Sequence, residues 1–278
     1  MSKYARCACW IALLMCAMAL TACAQEKAPG KPIATLTFFD AGSADAILIE
    51  TPGSAVLVDA GLKEDAPALI AALERAGVSK LDALIITHFD KDHVGGAAQV
   101  IEALPIGRAY EPDYEKHSKH VNAYRAALVK KGVASEALDA NTAFELDGID
   151  YDIDVANEAF YGEDEENDFS LVIRLTAGDA RALLAGDAER ARLIELLDEG
   201  DLKSGLLKVP HHGRYNKISP IFFAAVEPKH AVITSSEGEP EEDETVYALE
   251  RAGAQVWLTR RDAVVAETDG RGWTVGQP

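Results

Sequence analysis

Beyond residue 23 the chain has no cysteine: all four, Cys7, Cys9, Cys16 and Cys23, lie in its first 23 residues. The body that follows therefore has neither a disulfide nor a cysteine nucleophile available to it. Basic residues are also scarce. Lys and Arg number 27 against 46 Asp and Glu, a formal net charge of −19 over 278 residues. A field of that sign repels polyanions, and an extended basic surface for nucleic acid is not evident. No Pro-, Ser- or Gly-rich run divides the middle of the chain, and no short-period repeat recurs. With 48% hydrophobic residues, the length fits one large domain with a substantial core. No serine–histidine motif stands out either.

The cysteine-bearing start has a layout of its own. Lys3 and Arg6 precede an apolar stretch from Trp10 to Leu20, which ends in Leu20-Thr21-Ala22-Cys23. Positive start, short apolar core and small residues are the pattern of a secretion signal. Leu-Thr-Ala-Cys is similar to a bacterial lipobox, in which Cys23 carries lipid. Cleavage after Ala24 is the competing reading, and the apolar stretch is short for a retained membrane anchor. The expected organisation is a leader over 1–22, a tether over 23–32 and one domain over 33–278. The expected location is an exported, membrane-anchored lipoprotein, or else a soluble periplasmic or secreted protein. Losing the leader removes two cations and no acid, so the remainder is more acidic still. Anchoring would then rest on acyl chains and not on basic contacts.

What the chain does have is concentrated between Ile85 and Gly96, which reads I-I-T-H-F-D-K-D-H-V-G-G. His88, Asp90, Asp92 and His93 fall within six residues, directly after the apolar run Leu81–Ile86. Such a run predicts a buried strand, and Gly95-Gly96 predicts a turn away from it. Two imidazoles and two carboxylates on one tight loop either crowd negative charge or hold cations. Two more strands end in ligand-type residues: L-L-A-G-D at Asp187, and L-K-V-P-H-H-G at His211 and His212. A site built from strand ends is held by rigid elements.

Together T-H-F-D-K-D-H-V-G-G, N-D-F-S-L-V-I-R-L, L-L-A-G-D-A-E and L-K-V-P-H-H-G resemble the metallo-β-lactamase superfamily. The branch most similar is the soluble domain of bacterial competence (DNA-uptake) proteins and their stand-alone relatives. F-F-D-A-G-S-A-D-A-I-L-I-E and V-L-V-D-A-G match the first strands of that branch. The resemblance runs from about Ile33 to Trp273.

It implies an α/β (α+β) fold, a four-layer αββα sandwich with two divalent ions at the edge between the sheets. By the same resemblance His88 and Asp90 hold one ion, Asp92 and His93 the other, and Asp187 bridges them. A histidine of the His211–His212 pair completes the second ion; the spacing favours His212 and leaves His211 for substrate or leaving group. Asp59 either orients the ligand loop or caps backbone amides at a strand end. Asn167, Asp168 and Ser170 stand where most of the superfamily has a third histidine, and Asp90 also replaces a histidine. Oxygen-rich ligation shifts preference from zinc toward manganese or magnesium without excluding zinc. Gly238-Glu239-Pro240 replaces a Gly-His-Pro often found in relatives, which puts phosphodiester recognition in doubt.

The implied activity is hydrolysis by metal-bound hydroxide, with Asp92, Asp187 and His211 as the catalytic residues. The substrate is a phosphodiester or related ester; the alternatives are a carbon ester, lactone or amide, or a non-catalytic envelope component.

The remaining pattern predicts strands near 33–39, 45–50, 55–58, 142–146, 149–155, 169–176, 181–185, 205–209, 230–234, 254–258 and 263–267. It predicts helices near 65–76, 97–104, 117–131, 188–199, 219–226 and 241–251. His117 and His120 read as surface histidines, and the acidic runs Glu163–Glu166 and Glu237–Glu244 as solvated loops.

Overall fold

A computed structural model describes residues 30–162 and 166–277. The expected leader, Cys23 and most of the tether lie outside these residues, and everything below belongs to the unit that starts at Pro32.

The first sheet is assembled from β1 (Ala34–Phe38), β2 (Ile47–Glu50), β3 (Ala55–Val58), β4 (Leu81–Ile85), β5 (Ile106–Pro112) and β6 (Ser135–Leu138), with β14 (Val264–Thr268) and β15 (Trp273–Gly276). Its strand order is β15-β14-β1-β2-β3-β4-β5-β6. The second sheet takes β7 (Thr142–Leu146), β8 (Ile149–Asp154), β9 (Val172–Ala177), β10 (Ala180–Leu184), β11 (Leu206–Lys208), β12 (His230–Ile233) and β13 (Gln255–Leu258). They lie in the order β13-β12-β11-β10-β9-β8-β7. Helices α1 (Ala66–Arg75), α2 (Lys91–Val94), α3 (Ala97–Ala103) and α4 (Lys119–Lys131) follow strands of the first sheet. Helices α5 (Arg190–Glu199), α6 (Ser219–Val226) and α7 (Asp243–Arg251) do the same for the second.

The layering follows from the two-residue period of buried strands. In β2, Ile47 and Ile49 face one core and Leu48 another. In β10, Ala182 and Leu184 join Ile47 in the core between the sheets, while Leu183 faces the opposite way. Leu48 and Leu57 pack under Leu69, Leu73, Val100, Ile101, Val121 and Leu128 of the first helical layer. Leu183 and Leu207 pack under Leu193, Leu196, Phe222, Phe223 and Leu249 of the second. Three apolar cores between four layers make the αββα sandwich.

Within each sheet one half is parallel. Strands β3 to β6 run parallel, as do β10 to β13, with helices making the crossovers. Open parallel sheets place their ligands outside the carboxyl ends of the strands, and the candidate site residues sit there.

Four elements depart from the expected pattern. Strand β5 carries Gly107 and exposed Arg108 and ends in Pro112, so it lacks an apolar run. Strands β6 and β15 are edge strands, largely exposed or half-buried. Helix α2 is one turn long, too short for periodicity to register. Gly95 and Gly96 form the turn between α2 and α3, with right-handed φ values of −57° and −84°. They are needed for space. A Cβ on Gly95 would lie 2.8 Å from the Lys63 nitrogen and 2.9 Å from the Gly61 carbonyl oxygen, and one on Gly96 2.2 Å from the Ala60 carbonyl oxygen. The acidic loop after Ser236 is tied down by Arg260, which donates to Glu237 at 2.6 Å and to both oxygens of Glu241 at 3.0 Å.

Candidate metal centre

Five parallel strands deliver the centre. From the first sheet, β3 leads into Asp59 and β4 into Thr87, His88 and the ligand loop. From the second, β10 leads into Asp187, β11 into His211 and His212, and β12 into Thr234.

Asp59 is buried, left-handed at φ 57°, and engaged on both sides. Its carboxylate accepts the Thr87 N–H at 2.8 Å and the Thr87 hydroxyl at 2.6 Å, and lies 2.8 Å from His93 Nδ1. Both readings of Asp59 therefore describe what it touches: it caps the strand end and it orients an imidazole. With Nδ1 directed at Asp59, His93 presents Nε2 to Asp187 Oδ2 at 3.3 Å. His212 is set the same way. Its Nδ1 lies 2.9 Å from the Thr234 carbonyl oxygen, which only accepts, so Nδ1 carries the proton. Its Nε2 then faces Asp187 Oδ2 at 3.1 Å and Asp92 Oδ2 at 3.4 Å.

The Nε2 atoms of His88, His93 and His212 are buried, and none makes a hydrogen bond. Buried polar atoms left unpaired are costly. Asp92, His93, Asp187 and His212 bring their ligand atoms within 4.8 Å of one another. With metal–ligand bonds of about 2.0–2.2 Å, a tetrahedron has edges of roughly 3.3 Å. The contacts around Asp187 Oδ2 match that edge, so these four residues fit a divalent ion.

The remaining expected ligands are arranged less tightly. His88 Nε2 is 4.0 Å from Asp90 Oδ2. Asp90 is the N-cap residue of α2 but makes no cap hydrogen bond. Its other oxygen accepts from Lys116, which also donates to Glu166. A lysine thus stands at the oxygen-rich position. Ser170 is buried beneath Asp187, its hydroxyl accepting the Asp187 N–H at 3.1 Å. Asp168 accepts the N–H groups of Glu189 and Arg192 at 2.8 and 3.1 Å, anchoring the start of α5. Asn167 donates to Glu189 at 3.0 Å, and His211 Nδ1 lies 3.0 Å from the same Glu189 oxygen. His211 is thus separate from the four-residue cluster, on its rim. His211 and His212 both hold left-handed backbone, at φ 46° and 51°. Such strain persists only where the surroundings impose it. His117 is exposed and His120 half-buried, and neither joins the cluster.

Charge is polarised across the site. Burial opposes ionisation of Asp187, but His212, His93 and Lys208 outweigh it and hold the carboxyl well below its usual range. Asp92 falls to about 2, burial being overcome by His212 and His93. Burial also disfavours charge on the imidazoles, yet Asp187 and Asp59 raise His93, and Asp187 and Asp92 raise His212 to about 9. His88, desolvated and beside charged His93, drops to about 3 and stays neutral.

Two residues of this network, Lys208 and Asp45, lie within the matching segments but carry no expected role. Lys208 is fully buried and donates to the Gly186 carbonyl oxygen at 2.8 Å; it pairs with Asp45 at 2.5 Å and Asp187 Oδ1 at 3.4 Å. Asp45 also accepts the Thr234 hydroxyl at 2.6 Å, and its N–H donates to the Asp92 carbonyl oxygen. A lysine inside the apolar run L-L-K-V was the available signal, since a buried ammonium requires a carboxylate partner.

The comparisons with known proteins agree with this geometry. The family model described as the metallo-beta-lactamase superfamily matches residues 39–235. "Competence protein ComA" of Neisseria gonorrhoeae is 30% identical over 207 residues, 73% of this chain and 27% of that protein. "ComE operon protein 3" of Bacillus subtilis (strain 168) is 29% identical over 175 residues, 60% of this chain and 21% of that protein. The match thus spans about a quarter of these relatives' length. Among solved structures, the metallo-beta-lactamase fold protein YhfI from Bacillus subtilis superposes with a TM-score of 0.55 at 13% identity, covering 82% of this chain and 96% of that one. On fold, motif and sequence together, the chain belongs to the metallo-β-lactamase superfamily.

Proposed function

We propose that this protein is a metal-dependent hydrolase of the cell envelope. The observation that carries the reading is the cluster of Asp92, His93, Asp187 and His212, whose buried imidazole Nε2 atoms face the carboxylates without making a hydrogen bond. These four residues would hold one ion, and His88 and Asp90, with Asp187, would hold a second. Bound there, divalent ions supply an activated water and a Lewis acid for the attacked group. The chain's own residues do the rest. Asp59 and Thr234 fix the imidazoles of His93 and His212 so that Nε2 faces inward. Lys208 holds Asp187 from behind. His211, partly exposed and backed by Glu189 at Nδ1, would serve the leaving group as a proton donor.

The substrate we favour is a phosphodiester or related ester. Net charge of −19 supports a second reading, a neutral or cationic carbon ester, lactone or amide. The mixed oxygen and nitrogen ligation at His88 and Asp90 supports manganese at least as well as zinc, with magnesium possible. We further propose that Cys23 anchors the protein to a membrane through lipid. Among the described residues no helix is long and apolar enough to cross one.

The test is to strip the purified protein, reload it with zinc, manganese or magnesium, and assay phosphodiesters, phosphonates, lactones and β-lactams. Turnover of one class, lost on stripping and restored on reloading, is the expected result. Asp90→His should move the preference toward zinc. Bound metal without turnover of any class would instead favour a non-catalytic envelope component.

A further inference from the structure

A cavity of about 500 Å³ lies between the first turn of α4 and helix α3, apart from the metal centre. It is a groove open to solvent: Ala98 and the exposed Ala103 and Ala123 form its walls, and the exposed Lys63 and Lys119, with His120, stand around it. Its size falls within the range of small-molecule sites, about 300–1,000 Å³.

The charge around it is out of keeping with the rest of the chain. Among the described residues, neither Lys63 nor Lys119 pairs with a carboxylate, although acids outnumber bases 46 to 27 over the whole sequence. Glu102 also lines the cavity, but Lys130 at 2.7 Å and Lys131 at 3.8 Å already hold its carboxylate. Burial, then Lys119 and Lys63, depress the His120 imidazole, with Glu64 opposing and Lys91 adding to the effect. Lys119 and Lys63 both lie close enough to His120 to disfavour its charged form. Helix α4 compounds this. Its first turn has no acid and begins Lys119-His120, while Ser118 caps it through the Val121 N–H at 3.2 Å. The amino end of a helix is its positive pole and favours anions. Cations gathered there without acidic partners are a local conflict of the kind that marks function.

We propose that this cavity binds an organic anion with a short apolar body, an alkyl carboxylate in the first instance. The head would sit among Lys63, Lys119, His120 and the helix end, and the alkyl body against the alanine walls. The proposal is independent of the hydrolase reading, because no metal ligand lines the cavity.

Calorimetry on the purified protein tests it with octanoate, octanol and inorganic phosphate as probes. Octanoate should bind at one site, and octanol and phosphate each at least about tenfold more weakly, roughly 1.4 kcal/mol. The Lys63→Gln/Lys119→Gln double variant should lose at least about tenfold in octanoate affinity, and the Lys63→Arg/Lys119→Arg variant should keep it. Ala123→Phe should abolish binding by filling the space, with far-ultraviolet circular dichroism and metal content unchanged. Octanol binding as well as octanoate, phosphate binding as well as octanoate, or an unaffected double glutamine variant would each overturn the proposal.

Discussion

Asp187 is the residue on which most of the centre converges: His93 and His212 face one of its oxygens and Lys208 the other. Replacing it with alanine should remove most divalent-ion binding, and elemental analysis of the dialysed variant would show an unchanged metal content if this placement is wrong. Protons and metal compete at the same atoms. His212 holds its proton up to about pH 9 without metal, and His93 is raised as well, so ion affinity should climb as pH rises toward about 9. Chelator-competition titrations across that range check the slope. The sign is opposite for the metal-free fold. Because the folded value lies above the ordinary 6.5, His212 contributes stability that is complete below about pH 6.5 and is lost as pH rises through about 9. Metal-free protein should therefore melt at lower temperature at pH 9 than at pH 6, other titrations held in common by a His212→Gln control.

At the scale of elements, α5 is pinned by a buried charge network. Arg192 is fully buried and donates to the Asp154 carboxylate and, at 2.9 Å, to the Asp154 carbonyl oxygen. Arg174 adds a bond to Asp154 at 2.7 Å. Arg192 also reaches the carbonyl oxygen of Ser170 at 3.4 Å, so the segment beneath Asp187 depends on this network. Asp154→Ala strands the guanidinium without its main partner and should cost about 3–5 kcal/mol, read by thermal or urea denaturation. A neutral effect would mean that the network is not shared with the core. Elements with a buried face, such as β2, β10 and α6, were legible because apolar periodicity reports burial directly. Strands β6 and β15 were not, because an exposed edge leaves no such pattern. The gathering of His88, Asp90, Asp92 and His93 on one loop was legible because six residues contain them. Asp45 was not: its partners Lys208 and Thr234 are far along the chain, Thr234 by 189 residues, and only folding brings them together.

Across the whole molecule, the centre joins the two sheets, since Asp92 and His93 follow the first and Asp187 and His212 the second. An ion bound there and not in the unfolded chain stabilises the fold by about 2.7 kcal/mol at a free concentration one hundred times its Kd. Chelation should lower the melting temperature and re-addition restore it; calorimetry with and without chelator decides this. Cys23 lies outside the described residues, and the proposal for it is testable in cells. Cys23→Ala should abolish palmitate labelling and release or misprocess the protein, whereas mature protein beginning at Gln25 would refute lipid anchoring.

The pairing of Ala34 with Thr268 has a consequence for how the chain reaches its native state. One flank of β1 is covered by β2, only a few residues later, but the other waits for β14, near the end of the sequence. Every strand of the second sheet is laid down in between. A nascent chain therefore carries an open template strand until its last segment arrives, and such contacts, distant in sequence, slow folding. A shortened product ending before Val264 would keep that flank bare and free to recruit a strand from another molecule. The final strands thus cover a flank of the first sheet on the side away from β3 and β4, a duty unconnected with the candidate metal centre.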